Sequence, residues 1–272
     1  MAVNLTLKSS SSLPIELAGI LPEACVGKSI VEIEKLEILH GKVKLPLAEL
    51  FQVDGSPDDE VLRIQGNCRS VHWIGANMTR GTIRVDGNVG RHLGSQMSGG
   101  EINVQGNASD WLGAEMGGGR IDVLGNAGHQ VGAAYRGSSR GMRGGEILIR
   151  GDAGNEIGCR MRRGLIAVAG KSGDAPGYAM LAGTILLFGE AGIRPGANMK
   201  RGTIVCFSRL RPEILPTFRY AARLQPGYLN VLFRSLKSRG FPVEPSDFSS
   251  PFDLFSGDFL EQGRGEILLA TS

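Results

Sequence analysis

The middle of this chain repeats one pattern at a fixed interval. The stretch TRGTIRVDGNVGRHLGSQM (79–97) is followed directly by SGGEINVQGNASDWLGAEM (98–116). Successive units end at methionines whose numbers differ by 19, with one interval of 26: Met78, Met97, Met116, Met142, Met161, Met180 and Met199. A fixed period of this length is typical of a solenoid, in which each unit stacks on its neighbours. This feature therefore limits the possible folds more than any other.

Each unit predicts short strands. Ile83 and Val85 are aliphatic and flank a polar Arg84, which is the alternation expected of a strand with one buried face. The Gly-Asn pair that follows, Gly87 and Asn88, predicts a turn, because both residue types tolerate positive φ. A second alternating run at positions 93, 95 and 97 (Leu-Ser-Met) predicts a second strand.

Strands this short do not form a stable sheet alone, so they are predicted to pair with the same strands of the next unit. Stacking at about 4.8 Å places residue i over residue i+19. The predicted fold is all-β, a right-handed parallel β-helix with coils of about 19 residues. A left-handed helix is the alternative, but it requires six-residue sub-repeats, whereas the glycines at 81, 87 and 94 are spaced by six and then seven.

The repeat also predicts the domain boundaries. Residues 1–59 are expected to form an N-terminal cap of α/β or β structure, residues 60–207 the β-helix with an insertion at 133–141, and residues 208–272 an irregular or helical tail. One helix is predicted over 228–237. Apolar side chains at outward strand positions of the late coils need a cover, either this tail or a partner subunit: Leu165, Ala167, Ala169, Leu186, Phe188, Val205 and Phe207.

Bulk properties narrow the function. The net charge of the 272 residues is +3, which is too small to predict a nucleic-acid partner. The chain shows no apolar run of membrane-spanning length and no N-terminal secretion signal, so we expect a cytoplasmic protein with no membrane partner. Cys25, Cys68, Cys159 and Cys206 are not spaced as metal ligands and are expected to be buried, reduced thiols.

Two features are candidates for docking partners. The first is a set of arginines in or beside the insertion and at the matching corner of the next coil, where an acidic partner or a carboxylate-rich ligand would dock: Arg136, Arg140, Arg143, Arg160, Arg162 and Arg163. The alternative is a solvated loop with scattered charges. The second is Trp73, His92 and Trp111, which occupy the same position in successive repeats and predict an exposed aromatic column suited to an interface, or rings that merely stiffen the coils.

Catalytic and metal-binding patterns are missing from the sequence. It contains no G-x-S-x-G, H-E-x-x-H or P-loop motif. Polysaccharide-cleaving β-helices need clustered carboxylates, whereas Asp86, Glu101 and Asp122 lie on separate coils. We therefore predict no catalytic residues and no metal site in this chain.

Four segments together resemble the C subunit of formylmethanofuran dehydrogenase and its counterpart in the bacterial formyltransferase/hydrolase complex. These are the repeated M-x-x-G-x-I-x-V-x-G-[ND]-x-G pattern, VGAAYRGSSRGMRGGEI (131–147), LAELFQVDG (47–55) and FSGDFLEQGRGEILL (255–269). The resemblance covers essentially the whole chain. The glycine repeat alone is also similar to the C-terminal domain of the glutamate synthase large subunit.

The resemblance implies a non-catalytic scaffold subunit in a complex that moves formyl groups between tetrahydromethanopterin and a methanofuran-type coenzyme. The implied partners are a metal-dependent, amidohydrolase-like subunit and a formyltransferase, and the metals, zinc or molybdenum or tungsten in the dehydrogenase form, belong to those partners. The arginines would then dock a partner subunit or face the polyglutamyl tail of the coenzyme. A structural module of a glutamate-synthase-like amidotransferase and a stand-alone carbohydrate-active β-helix are the alternatives.

Overall fold

A computed structural model describes residues 2–271 of the chain. The N-terminal part contains five strands and three short helices: β1 (Val3–Leu7), β2 (Ile15–Glu16), α1 (Pro22–Cys25), α2 (Ile30–Glu34), β3 (Glu37–His40), β4 (Val43–Pro46), α3 (Leu47–Leu50) and β5 (Phe51–Gly55). Helix α2 begins with a capping box, in which Ser29 and Glu32 each accept the other's backbone N–H. After a 3₁₀ turn at Pro57–Asp59, the chain enters the repeats.

The repeats supply eight long-sheet strands and one short strand. In chain order these are β6 (Val61–Gln65), β7 (Val71–His72), β8 (Thr82–Val85), β9 (Glu101–Val104), β10 (Arg120–Val123), β11 (Arg143–Ile149), β12 (Arg163–Val168), β13 (Thr184–Leu187) and β14 (Arg201–Cys206). Apart from β7, each strand pairs in parallel with the strand of the next coil. β1 lies between β6 and β5, so the cap continues the stack at its first coil.

The predicted stacking of each residue over the one in the next repeat is confirmed. Ile83 pairs with Ile102, Ile102 with Ile121, and Ile121 with Ile147, and all four side chains are fully buried. Burying one such side chain contributes about 1.5–3 kcal/mol. The longer unit, 117–142, keeps this register because its extra residues leave the stack as a loop. The fold is therefore the all-β parallel β-helix that the period predicts.

A second wall of the coil is held by a line of single-residue parallel bridges, which run from Cys68 to Ala191. Beside them, the amide oxygen of each asparagine accepts a backbone N–H from the next coil. Asn88 accepts from Asn107, and Asn107 accepts from Asn126, at 2.9 and 2.7 Å. The expected positive φ at Gly87 and Asn88 is wrong, since neither residue has it. The glycine is needed for close approach instead: a Cβ on Gly106 would lie 2.7 Å from the carbonyl oxygen of Gly87.

The predicted second strand is also wrong. Residues 91–96 form turns in which His92, Gly94 and Gln96 have φ of 65°, 62° and 58°, while Leu93 and Met97 belong to the hydrophobic core. Residues 93–95 are all buried, and the backbone alternates between left-handed and ordinary conformations. The N–H groups of the left-handed residues bond to neighbouring coils, as in Gly94 to the carbonyl of Ile74 at 2.8 Å. The sequence pattern reports which side chains are buried and cannot distinguish these two backbones.

The tail is more regular than expected. It contains β15 (Arg219–Leu224), α4 (Leu229–Ser238), a 3₁₀ turn at Pro245–Ser249, β16 (Phe252–Gly257) and β17 (Arg264–Ala270). The helix agrees with the prediction to within one residue. Strand β17 pairs in parallel with β14, with Ile267 opposite Ile204, and so acts as one more rung. The long sheet thus has the strand order β15-β16-β17-β14-β13-β12-β11-β10-β9-β8-β6-β1-β5, and a second sheet has the order β4-β3-β2-β7.

Helix α4 and the strands after it pack on the apolar outer face of the late coils. Leu165, Leu186 and Val205 form one buried cluster with Phe233 and Leu236 of the helix. The outward rings of Phe188 and Phe207 stack at 4.4 Å, and Phe207 contacts Phe233 and Phe252 edge-on at 5.5 Å. The tail therefore covers the apolar outer surface of the late coils, for which the sequence predicted a cover.

Gly119→Ala tests how tightly the coils are packed. Gly119 has φ of 85°, and an added Cβ would lie 2.7 Å from both the Gly100 carbonyl oxygen and the Met97 Cε. The strained φ and the overpacking each cost about 1–3 kcal/mol. Gly137→Ala is the matched control, since Gly137 has nearly the same φ, 86°, with nothing within 4 Å. Urea unfolding should show a clearly larger loss for Gly119→Ala, and equal losses would contradict this packing.

Candidate functional site

The insertion at 133–141 is held by hydrogen bonds to the next coil of the β-helix. Ala134 donates its N–H to the carbonyl of Cys159 at 3.1 Å, and Gly141 donates to the carbonyl of Arg160 at 2.9 Å. The guanidinium of Arg160 donates in turn to the carbonyl of Ser138 at 2.8 Å. The loop therefore has a defined position relative to the coils.

Trp73, His92 and Trp111 form the predicted stack. The ring centroids of Trp73 and His92 are 4.1 Å apart with 12° between planes, and those of His92 and Trp111 are 6.4 Å apart with 20° between planes. All three rings are half-buried rather than exposed. The expectation of an exposed column is therefore wrong, and the reason lies in the insertion.

Tyr135 from the insertion covers the column, a contact that the sequence pattern did not indicate. Its ring stacks on Trp111 with centroids 5.0 Å apart. Its hydroxyl lies 2.8 Å from Ser95 Oγ and 2.9 Å from His92 Nδ1. Its contact with the column could have been suggested by the presence of an aromatic residue in the insertion, the loop nearest the column. Tyr135 thus joins the loop to the column through both ring stacking and hydrogen bonds.

Burial and the neighbouring charges favour the neutral forms of His92 and Tyr135. Burial lowers the pKa of His92, and the nearby charges of His72 and Arg91 lower it further. Burial also raises the pKa of Tyr135. Ser95 is fully buried, so its hydroxyl is not open to a substrate. The arrangement of Ser95, Tyr135 and His92 therefore holds the loop in place and offers no accessible nucleophile.

The six predicted arginines are only partly brought together. Arg143 and Arg163 lie opposite one another in paired strands. Arg160 contacts the loop backbone, whereas Arg136 and Arg140 are exposed within the loop and form no ion pair among the described residues. The approach of all six guanidiniums to one another therefore stays a prediction.

A second basic feature, a groove that spans three coils, was not predicted from the sequence. Arg162 and Arg163 line a groove of about 650 Å³ together with Lys200 and Arg201 from the coil two steps further on. The sequence contained the signal, because MRRG at 161–164 and MKRG at 199–202 occupy the same position in their repeats. We call this feature the corner groove.

The outward carboxylates are engaged in ion pairs with neighbouring coils. Asp86 pairs with Arg63 at 2.7 Å, Glu101 with Arg120 at 2.7 Å, and Asp122 with Arg150 at 3.0 Å. Burial favours a higher pKa for Glu101, but hydrogen bonds from Arg120 and Asn103 outweigh it and hold that pKa below its usual value. These groups are placed to stabilise the coils, and none is poised as a general acid.

The thiols have the properties of buried structural groups. All four cysteines are unpaired, and Cys25, Cys68 and Cys206 are buried as expected, whereas Cys159 is half-buried. Burial raises the pKa of Cys68 and Cys159 to about 11 and that of Cys206 to about 12. Within residues 2–271, no cluster of His, Cys, Asp or Glu has the arrangement of a metal site. No helix in the same range is long and apolar enough to span a membrane.

Tyr135→Phe tests the loop anchor. The substitution leaves the buried Ser95 hydroxyl with only its longer contact to the Trp111 carbonyl, at 3.4 Å. We expect a loss of about 1–3 kcal/mol in the free energy of unfolding and faster proteolysis of the insertion. Tyr178→Phe is the control, because that hydroxyl accepts only from the exposed Asn198 at 3.3 Å. Unchanged stability and protease resistance in Tyr135→Phe would reject the anchor.

The lowered pKa of His92 predicts a pH dependence of stability. The folded-state pKa lies below the unfolded value of about 6.5, so the unfolded chain binds the proton more readily. His92 therefore contributes its full stability above a pH of about 6.5, and this contribution is lost as the pH falls through the folded pKa. Melting curves between pH 8 and 5 should show a weaker pH dependence for His92→Gln. Titration of the His92 ring above 6.5 by NMR would contradict this.

The comparisons with known proteins agree with one another. The GXGXG motif family matches residues 63–211. The C subunit of molybdenum-containing formylmethanofuran dehydrogenase 1 from Methanothermobacter marburgensis is 42% identical over 94 residues, which is 34% of this chain and 24% of that protein. The C subunit of tungsten-containing formylmethanofuran dehydrogenase 2 from Methanothermobacter thermautotrophicus is 42% identical over 93 residues, 33% of this chain and 34% of that protein. The matches thus span only about a quarter to a third of these relatives.

A solved structure is similar over the whole chain. It is a chain in the X-ray crystal structure of the formyltransferase/hydrolase complex (FhcABCD) from Methylorubrum extorquens in complex with methylofuran. The two chains are 33% identical, the match covers 99% of this chain and 100% of that one, and the TM-score is 0.89. The present chain therefore belongs to the GXGXG family, and its relatives include the C subunits of formylmethanofuran dehydrogenases.

Proposed function

We propose that this chain is a non-catalytic scaffold subunit of a complex that transfers and hydrolyses formyl groups between tetrahydromethanopterin and a methanofuran-type coenzyme. The observation that carries the proposal is the whole-chain likeness to one chain of the formyltransferase/hydrolase complex. A shared repeat alone would account for the middle of the chain. It would not account for a match that includes the cap, the insertion and the tail.

The chemistry of the described residues supports a scaffold role. The outward carboxylates Asp86, Glu101 and Asp122 are paired with arginines, and the cysteine thiols have raised pKa values. Neither set is suited to acid–base or nucleophilic catalysis at neutral pH. The metals and the coenzyme would be held by the partners, an amidohydrolase-like subunit and a formyltransferase.

The whole-chain match also favours the hydrolase form of the complex over the dehydrogenase form. The dehydrogenase subunits are similar over about a third of this chain, whereas the chain of the formyltransferase/hydrolase complex is similar over nearly all of it. The same argument disfavours a glutamate-synthase-like module, for which the repeat would be the shared part.

Native purification of the tagged chain tests the proposal. We expect an amidohydrolase-like chain and a formyltransferase to copurify in equal amounts, and the isolated chain to turn over no formyl substrate. Arg140→Glu should reduce the yield of the complex, because it reverses an exposed charge in the insertion. Arg234→Glu, an equal charge change at an exposed position of α4, is the control.

Two results would contradict the proposal. One is formyl transfer or hydrolysis by the isolated chain. The other is copurification of a flavin- or ferredoxin-dependent amidotransferase in place of the two expected partners.

A further inference from the structure

We propose that the corner groove binds an extended, carboxylate-bearing peptide segment of a partner subunit. The groove is lined by Arg162, Arg163, Thr184, Lys200, Arg201 and Gln262. Its volume of about 650 Å³ lies within the range of about 300–1,000 Å³ typical of ligand sites. The inference rests on the proposed role as a subunit of a complex and deepens it by assigning one docking site.

The charges of the corner groove are not balanced within the part of the chain that the structure describes. On the neighbouring sheet face, arginines pair with a carboxylate of an adjacent coil, as Arg120 does with Glu101 at 2.7 Å. Arg162, Arg163 and Arg201 have no such partner among residues 2–271, and all three are exposed. The stacking that pairs opposite charges elsewhere therefore concentrates like charges here.

Strand register increases this imbalance. Arg201 lies directly opposite Arg264, and Arg163 lies opposite Arg143. Like charges in register destabilise a sheet. An anion placed between these coils would remove the repulsion, and arginine is the side chain best suited to bind a carboxylate through two parallel hydrogen bonds.

One cation of the groove is already paired with a carboxylate of this chain. Lys200 forms an ion pair at 3.6 Å with Glu261 of the tail, which lies outside the groove lining. This contact leaves the three arginines of the groove without a carboxylate partner among the described residues.

The spacing of the cations selects an extended peptide. The coil between the two basic pairs contributes the uncharged Leu181 and Ala182 at the same positions. The two pairs are thus two rungs apart, or about 10 Å at about 4.8 Å per rung. In an extended chain of polyproline II type, with three residues per turn and a rise of about 3.1 Å per residue, side chains three positions apart lie on the same face and about 9 Å apart, which matches this separation. The predicted ligand therefore carries acidic residues at positions i and i+3.

The floor of the groove suits a backbone in extended conformation. Between the basic pairs the lining consists mainly of the small residues Gly164, Ala182 and Gly183, and Leu181 is the one large side chain there. Thr184 and Gln262 offer polar side chains at the sides of the groove, where peptide amides would lie. A nucleic acid is disfavoured, because the basic strip is only about 10 Å long and the net charge of the chain is +3.

Fluorescence anisotropy with the purified full chain tests the inference. The probe is a labelled nonapeptide whose two glutamates are separated by two alanines. The comparison peptides carry adjacent glutamates, or glutamines in place of glutamates. We expect saturable binding that is strongest for the first peptide and weakens as salt rises. Arg163→Glu and Arg201→Glu should each weaken binding by about tenfold or more, and Arg234→Glu by less than about twofold.

Several outcomes would overturn the inference. These are equal binding of the glutamine peptide, equal losses in Arg234→Glu, or tighter binding of a phosphodiester oligonucleotide than of the acidic peptide. If either charge reversal impairs folding, Arg163→Gln and Arg201→Gln replace them, and they should still weaken binding severalfold. Unchanged peptide affinity in these folded variants would also reject the groove as the site.

Native purification separates this inference from the proposed function. If wild-type chain recovers the two expected partners and the double variant Arg163→Glu, Arg201→Glu recovers less of them, both proposals are supported. If the double variant recovers them in full, the groove assignment fails and the scaffold role stands. If wild-type chain recovers neither partner, the proposed function fails, and the groove no longer has the partner it was assigned.

Discussion

The structure depends on hydrogen bonds that run from coil to coil at every wall of the β-helix, including the turns. In the strands these are ordinary parallel ladders. In the turns, residues with left-handed φ occur at every second position, and His92 and Gly94 each donate to the backbone of an adjacent coil. The methionines and isoleucines can stack only because the backbones approach so closely, which explains why side chains are missing where coils touch, as at Gly106. Stability and stiffness therefore come from neighbours rather than from any single coil.

Much of this could be predicted from the repeat, because a fixed period sets both the register and the buried positions. The period could not predict the backbone conformation of residues 91–96, since the same repeated sequence pattern is compatible with a strand and with alternating left-handed turns. The return of the tail as a rung was also missed, although Gly265 and Ile267 align with Gly202 and Ile204 of the last repeat. This strand follows the last repeat only after the segment 207–263. It therefore lies outside the fixed interval by which the other repeats were recognised.

The candidate sites show a similar division. The stacking of Trp73 on His92 followed from the spacing alone, but its cover by Tyr135 required knowing where an irregular loop folds. The arginines were identified by residue type, but the groove that Arg162 and Arg163 form with Lys200 and Arg201 was not predicted, because it joins coils that are two repeats apart. The β-helix holds the insertion in a defined position and carries the corner groove, whose charges are unbalanced. Such a rigid surface is well suited to hold partners at fixed positions, which is the role that the whole-chain likeness supports.

The most direct test of this account is hydrogen–deuterium exchange of the intact chain, read by mass spectrometry over the repeats. The account predicts that the turn amides that donate to adjacent coils, those of residues 92, 94, 96, 111, 113 and 115, exchange as slowly as the amides of the strands at 82–85 and 101–104. The exposed part of the insertion, residues 136–140, should exchange far faster. Turns that exchange as fast as the insertion would contradict the claim that every wall of the β-helix is bonded from coil to coil.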